Sequence, residues 1–488
     1  MAILINIQVV KLQLIVMLIT MVSIVNGFSQ TQKVKVYTAP RGEILSLAYK
    51  VSVLGRQVPV YKAKIGAADN NLRFKAVDDL MNSERYFDNA AFCHFDMQGS
   101  VNVRVNVNYP VKRVKVLPAS AGIKAIVHQR SISFNLSSPQ NLTIEINGEV
   151  VKSLHLFANP IETDVPKAND PNVIYFGPGV HHVSSMVIGD NKTVYISGGA
   201  IIRAVIGKNE KFTTEPSGLR NYPPTFIIAG RNIKFRGRGI IDASACTTHS
   251  RNILYAQGAD INLEGIILRD PSVWTIFVRQ CDRISINNIK ILGYRANSDG
   301  IDICNSRNVT VQNCFVRTND DLIVVKSFED QGPVSHVVVK NCTLWNQLAH
   351  ALSLGAELRE DVSDVLFTNC DIIHDTSREW AMRIFHSDAS LISNIKFENV
   401  RVEESRQLIS LWIGKTASTF EKGLGNIQGV SFKNIKAYGS PLAVQLTGGD
   451  NEHGIKDVTF EHVLLNNKPL NNSRVTANEF IKNISIRP

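Results

Sequence analysis

The chain is organised by a short phrase of alternating apolar and polar positions that closes on asparagine. It reads "RISINNI" at 283–289, "RNVTVQNC" at 307–314, "SHVVVKNC" at 335–342 and "SDVLFTNC" at 363–370. It returns as "SNIKFENV" at 393–400, "QGVSFKNI" at 428–435 and "KDVTFEHV" at 456–463, with looser copies at 192–199, 231–239 and 259–266. From Asn288 onward the closing position recurs at gaps of 25, 28, 28, 30, 35 and 28 residues. A period of that size marks a solenoid. Each copy is β-branched and alternating and ends in Asn or Gly, so each predicts a short strand and a turn. No helical periodicity lies between copies, which excludes leucine-rich and α-helical solenoids and leaves a right-handed parallel β-helix.

Stacking the copies about 4.8 Å apart converts columns of the sequence into ladders. The position after the closing Asn reads Ile289, Cys314, Cys342, Cys370, Val400, Ile435, Val463, a buried apolar column in which cysteine acts as a small hydrophobe. The Asn column is placed to hydrogen-bond along itself. About ten coils give a rod on the order of 45–50 Å long.

The chain before the repeat has another rhythm. "SVNVRVNVN" (100–108) alternates strictly, and "LTIEINGEV" (142–150) carries an Asn-Gly turn. Such strands and turns predict a smaller antiparallel β-sandwich over residues 30–160. The four prolines of 158–179 read as the linker into a β-helix domain spanning 161–488, and "EPSGLRNYPP" (215–224) reads as a loop inserted between coils.

Composition narrows the function classes. The formal charge is +10 over 488 residues, but the basic residues are scattered, with no run of the kind that grips nucleic acid. A basic surface does suit an anionic polymer. The seven cysteines are odd in number and lack close pairs, which fits neither a disulfide framework nor a zinc site. The apolar run after Lys11 reads as a signal peptide covering 1–29, with Gly27 and Ser29 as the small residues before the cut, so secretion or a periplasmic or cell-surface location is expected. An uncleaved anchor is the alternative. No other apolar stretch is long enough to span a bilayer.

The candidate chemistry sits in "NSDGIDICNSRNVTVQNCFVRTNDDLIVVK" (297–326) and the two coils after it. Asp299 lies 11 residues beyond Asn288. Asp320 and Asp321 lie 7 and 8 beyond Asn313, His350 lies 9 beyond Asn341, and Arg383 lies 14 beyond Asn369. Similar offsets in consecutive coils gather these residues on one side of the rod, with Trp274 and Trp380 as flanking aromatics. Crowded carboxylates oppose one another's ionisation, so one keeps a proton. That is the equipment of glycoside hydrolysis, in which one carboxyl group protonates the leaving oxygen and another activates water. Calcium binding by the same acids is a second reading, while the leading one needs no metal or cofactor. Asp302 reads as structural, capping the turn.

The set resembles the polygalacturonase-type glycoside hydrolases (family 28) and, in having a sandwich before the β-helix, the dextranase and isopullulanase group (family 49). "NSDGID" stands for Asn-Thr-Asp-Gly-Ile-Asp, "DDLIVVKS" for an Asp-Asp-Cys-x-Ala-Ile stretch, "AHA" for Gly-His-Gly and "RIF" for Arg-Ile-Lys, in matching order. The resemblance implies an inverting hydrolase with Asp320 as general acid. It implies that Asp299 and Asp321 position and activate water, that His350 supports the acid, and that Arg383 binds substrate. Asn297, Lys326, Trp274 and Trp380 complete the expected substrate-binding set. Phe385 replaces the lysine that in polygalacturonases helps bind the uronic carboxylate. Arg295, Arg317 and Lys326 are the nearby cations that would take over if they face the groove. The expected partner is a polysaccharide, pectic or related. A neutral α-glucan, a polysaccharide lyase reaction and a non-catalytic glycan-binding β-helix are the alternatives.

Overall fold

The computed structural model describes residues 32–66, 87–215, 218–376, 379–416 and 423–488. The candidate signal peptide lies outside the described residues. Among the described residues, no helix is long and apolar enough to cross a membrane.

The protein is all-β, as its alternating patterns predict. Two sheets within Lys33–Pro160 face each other across a core that includes Val51, Phe95, Val103, Phe134 and Leu156. Pairing is antiparallel except between Phe87–Gln98 and Glu149–Pro160, which run parallel at the centre of the larger sheet. The proline-bearing segment is divided rather than being all linker. Ala158, Asn159 and Pro160 end the last sandwich strand, and Val173–Phe176 is already the first strand of the parallel array.

From Val173 a 30-stranded array winds in coils whose strands pair almost throughout in parallel with their equivalents one coil on. The inserted segment forms a two-stranded hairpin, Thr213–Thr214 against Arg220–Asn221, outside that array. The interior column Ile289, Cys314, Cys342, Cys370, Val400, Ile435, Val463 is buried, and its cysteines are free thiols. Beside it Phe367, Phe397, Phe432 and Phe460 stack ring on ring at 4.9–5.3 Å.

The Asn column has a backbone reason. Asn288, Asn313, Asn341, Asn369, Asn399 and Asn434 all have φ between +51° and +57°. That left-handed turn is costly for most L-residues and tolerable for Asn. Their amides also chain together: Asn341 Nδ2 donates to Asn313 Oδ1 (3.3 Å) and Asn369 Nδ2 donates to Asn341 Oδ1 (2.8 Å). Asn341→Ala is expected to cost about 1–2 kcal/mol, whereas Asn341→Gly, which keeps the turn and loses only the amide bonds, costs less. Urea midpoints of the two variants check this order.

The sandwich is seated on one outer sheet of the β-helix. Tyr61, Phe92 and Phe157 meet Phe315, Trp345 and Ile373 in a shared apolar cluster. Charged groups are buried with it, among them Arg238 on Asp96 at 2.9 Å. A second outer sheet, not covered in this way, carries the candidate residues.

Candidate active site

The open sheet is built from Ile276–Asn287, Ile301–Cys304, Ile323–Ser327, Leu352–Leu358, Met382–His386 and Arg401–Ile413. Alternation sends every second residue outward, and the register aligns them in columns. One column runs Phe277, Asp302, Val324, Ser353, Arg383, Ser410. Its neighbour runs Arg279, Cys304, Lys326 and, beyond a bulge, Gly355, Phe385, Trp412. Asp299, Asp320, Asp321 and His350 sit on the turns that lead into the same sheet.

The structure brings the three acids together. Asp299, Asp320 and Asp321 each offer an oxygen within 4.8 Å of the others, so they are also the group that could hold a cation. Asp320 is the most accessible of them. Its Oδ2 accepts the backbone N–H of Asn297 (3.0 Å) and its Oδ1 accepts the N–H of Asp321 (3.0 Å), which fixes the plane of the carboxylate. Asn297 thus serves the acid through its backbone; its side chain is exposed.

Asp321 accepts from His350 Nδ1 at 2.6 Å and from the His350 backbone N–H at 3.2 Å. Burial pushes the Asp321 carboxyl up, but the charge and hydrogen bonds of His350 outweigh it and hold it below the usual range. Burial lowers His350, and Asp321 and Glu379 more than restore it, leaving the imidazole above 6.5. Arg383 donates through Nη1 to His350 Nε2 at 3.1 Å and pairs with Glu379. A chain from Asp321 through His350 and Arg383 to Glu379 therefore backs the acids from the following coils.

On the other side Lys326 is turned inward. Its Nζ lies 3.0 Å from both Asp299 Oδ2 and Asp302 Oδ1, 3.8 Å from Glu357, and 3.7 Å from the centre of the Trp274 ring. Only 5% of the lysine side chain is exposed, so it is the counter-ion of the acids beneath the cleft. Asp302 lies within the strand Ile301–Cys304 and is fully buried, so it caps no turn. Asp299 and Asp302 share one ammonium. Burial raises both carboxyl groups, Asp302 to about 7, and the pair keeps a proton at neutral pH. Because Asp302 binds its proton more tightly folded than unfolded, this group costs stability as pH rises from about 4 to about 7. Asp302→Asn is expected to flatten the fall in melting temperature across that window, read from thermal unfolding at each pH.

The remaining residues divide. Trp274 is half-buried beside Phe277 and Phe328. Trp380 is 6% exposed and belongs to the packing. Arg295 is buried against the backbone oxygens of Ala243, Asp270 and Ser244, and Arg317 lies at the sandwich interface on Trp345 and His155. With Lys326 locked on carboxylates, none of these three cations is presented to the groove. The motif reading passed over Glu379, Glu357 and Trp412. Reading outward positions column by column would have found Trp412, which follows Phe385.

Comparison with known proteins agrees with this arrangement. The profile of Glycosyl hydrolases family 28 matches residues 227–482. A polygalacturonase of Juniperus ashei is 27% identical over 201 residues, covering 39% of this chain and 38% of its own length. One from Chamaecyparis obtusa is 27% identical over 195 residues, covering 38% and 36%. The chain thus spans well under half the length of these curated relatives. Among solved structures, Dex49A from Penicillium minioluteum superposes with a TM-score of 0.62 at 14% identity, over 91% of this chain and 94% of that one. An exopolygalacturonase from Thermotoga maritima gives 0.54 at 17% identity, over 64% and 84%. At such identities the structures speak for the fold, and the first extends through the sandwich. The profile match takes in the whole acid cluster and more than half of the sequence, and the chain belongs to Glycosyl hydrolases family 28.

Proposed function

We propose that the protein hydrolyses glycosidic bonds of a pectic or related polysaccharide, and that Asp299, Asp320 and Asp321 carry the reaction. The observation behind this reading is three carboxylates within 4.8 Å of one another on an open sheet, in a chain of this family. Asp320, the accessible acid, protonates the leaving oxygen. Asp321, ionised by its bond to His350, and Asp299 hold and deprotonate the attacking water, while Asp302 keeps the proton of the buried pair. His350 and Arg383 fix Asp321. The long apolar run near the N-terminus and a polymeric substrate support export to the periplasm, the cell surface or the medium.

Reducing-end release from polygalacturonate and from dextran, measured side by side, tests the reading. Release from polygalacturonate supports a pectic substrate, release from dextran alone points to a neutral glucan, and release from neither, nor from other pectic glycans, overturns it.

A direct displacement by water inverts the anomeric centre, as the family resemblance implies. One distance favours a second reading. Inverting enzymes usually hold their carboxyl groups about 6.5–9.5 Å apart and retaining ones about 5–5.5 Å, and the nearest oxygens here fall within 4.8 Å. The configuration of the first-formed reducing end, followed by NMR, separates the two.

A further inference from the structure

The two flanks of the acid cluster differ in chemistry, and the difference is written in the outward columns. Two coils before Lys326 stands Arg279, and two coils after it stands Phe385. At about 4.8 Å per coil each lies roughly 10 Å from the centre.

On the preceding side, Trp274, Phe277 and Phe328 wall a hollow of about 340 Å³ whose lining also includes Arg279 and Arg359. Arg279 donates through Nε to Gln331 at 2.7 Å and lies over the rings of Phe277 and Phe328 at 5.9 and 5.8 Å. Its bonded neighbour is a neutral amide, so its charge is open to a ligand. Trp274 closes the hollow against Lys326 and hence against Asp299.

On the following side the floor is aromatic and its charge is already balanced. Phe385 and Trp412 are both half-buried and meet at 4.8 Å with their planes 61° apart. Gly414 leaves the room that the Trp412 ring occupies, since a Cβ there would lie 2.4 Å from it. Arg383 lies 4.2 Å from the centre of the Phe385 ring, but Glu379 answers its charge and His350 takes one of its donors. The outward residues one coil further on are Gln445 and Thr447, both neutral. Lys415, three residues past Trp412, is exposed and is the described cation nearest to it in sequence.

We infer that the cleft is selective for a mixed glycan, with an acidic sugar on the Arg279 flank and an uncharged sugar stacking its apolar face on Phe385 and Trp412. A carboxylate over that aromatic pair would lose water and gain no counter-ion. A sugar ring offering C–H groups loses nothing comparable and gains contact with the ring faces. This deepens the hydrolase reading and rests on it for the position of the scissile bond. The binding preference itself can be measured without turnover.

The test uses the full chain carrying Asp320→Asn, so that ligands bind without being cut. Three probes of equal length are titrated by calorimetry: a galacturonate oligomer, a dextran oligomer, and an oligosaccharide alternating galacturonate with rhamnose. The alternating probe is expected to bind roughly tenfold tighter than either homo-oligomer. Trp412→Ala is expected to remove most of that advantage, Arg279→Gln to weaken both acidic probes and spare dextran, and Phe385→Lys to turn the preference toward the galacturonate oligomer. Equal or tighter binding of the galacturonate oligomer by the parent overturns the inference. So does a Lys415→Gln variant that loses more affinity than Trp412→Ala, because a cation would then govern that flank. Failure of the hydrolase reading looks different: the binding order stands, and the chain with Asp320 intact releases no reducing ends from any probe.

Discussion

Asp320→Asn is expected to lower the rate of reducing-end release by roughly 10²–10⁴-fold, the contribution of a positioned general acid. The substitution keeps the shape of the side chain and removes its exchangeable proton. Asp320 accepts two backbone N–H groups, from Asn297 and Asp321. An asparagine can satisfy one of them and turns its own NH₂ toward the other, so stability is expected to fall by about 1 kcal/mol. The two effects are separable because a loss of that size leaves nearly all molecules folded. The loss should appear in kcat with KM little changed, since the acid contributes more in the transition state than in the bound ground state. Activity within threefold of the parent, with the fold intact, would remove Asp320 from the chemistry and move the proton donor elsewhere in the cluster.

The fold was legible because its governing constraint is local and repeated. A left-handed turn residue once per coil demands Asn or Gly, and the chain supplies Asn288, Asn313, Asn341, Asn369, Asn399 and Asn434 in step. The offsets of Asp299, Asp320 and Asp321 from that column were enough to place them together, because equal offsets in stacked coils mean neighbouring positions.

What alternation could not show was which outer sheet a strand belongs to and what covers it. Phe315, Arg317 and Trp345 point outward as surely as Lys326 and Phe385 do. They are buried because the sandwich lies on their sheet, with His155 and Phe157 against them. Nothing in the spacing of Arg317 distinguishes it from a groove-facing cation. Lys326 misled for a different reason: it does lie on the open sheet, but two carboxylates from the coil before it reach it first. The departure at Phe385 was visible as a lost lysine. Its meaning became visible only with Trp412 beside it, 27 residues further along the chain and one coil away.

Lys326→Met is expected to be the most damaging substitution at the site. It leaves Asp299 and Asp302, both at most 3% exposed, facing each other without their ammonium. Removing one partner of a buried ion pair typically costs about 3–5 kcal/mol, because the stranded charge cannot recover its hydration. Part of that cost is escaped by protonation, so the variant should be relatively more stable at low pH, where both acids are neutral, and should lose that advantage as pH rises. Adding Asp302→Asn to Lys326→Met is expected to restore a share of the stability, since one of the two stranded carboxylates is gone. The coupling between the two changes, taken from denaturant unfolding of both single variants and the double, measures it. A lysine that served substrate instead would behave otherwise. Its loss would raise KM for acidic glycans, leave the unfolding midpoint where it was, and show no coupling to Asp302. The buried geometry of Lys326 commits the protein to the first outcome, in which the cation maintains the charge state of Asp299 and the polysaccharide never touches it.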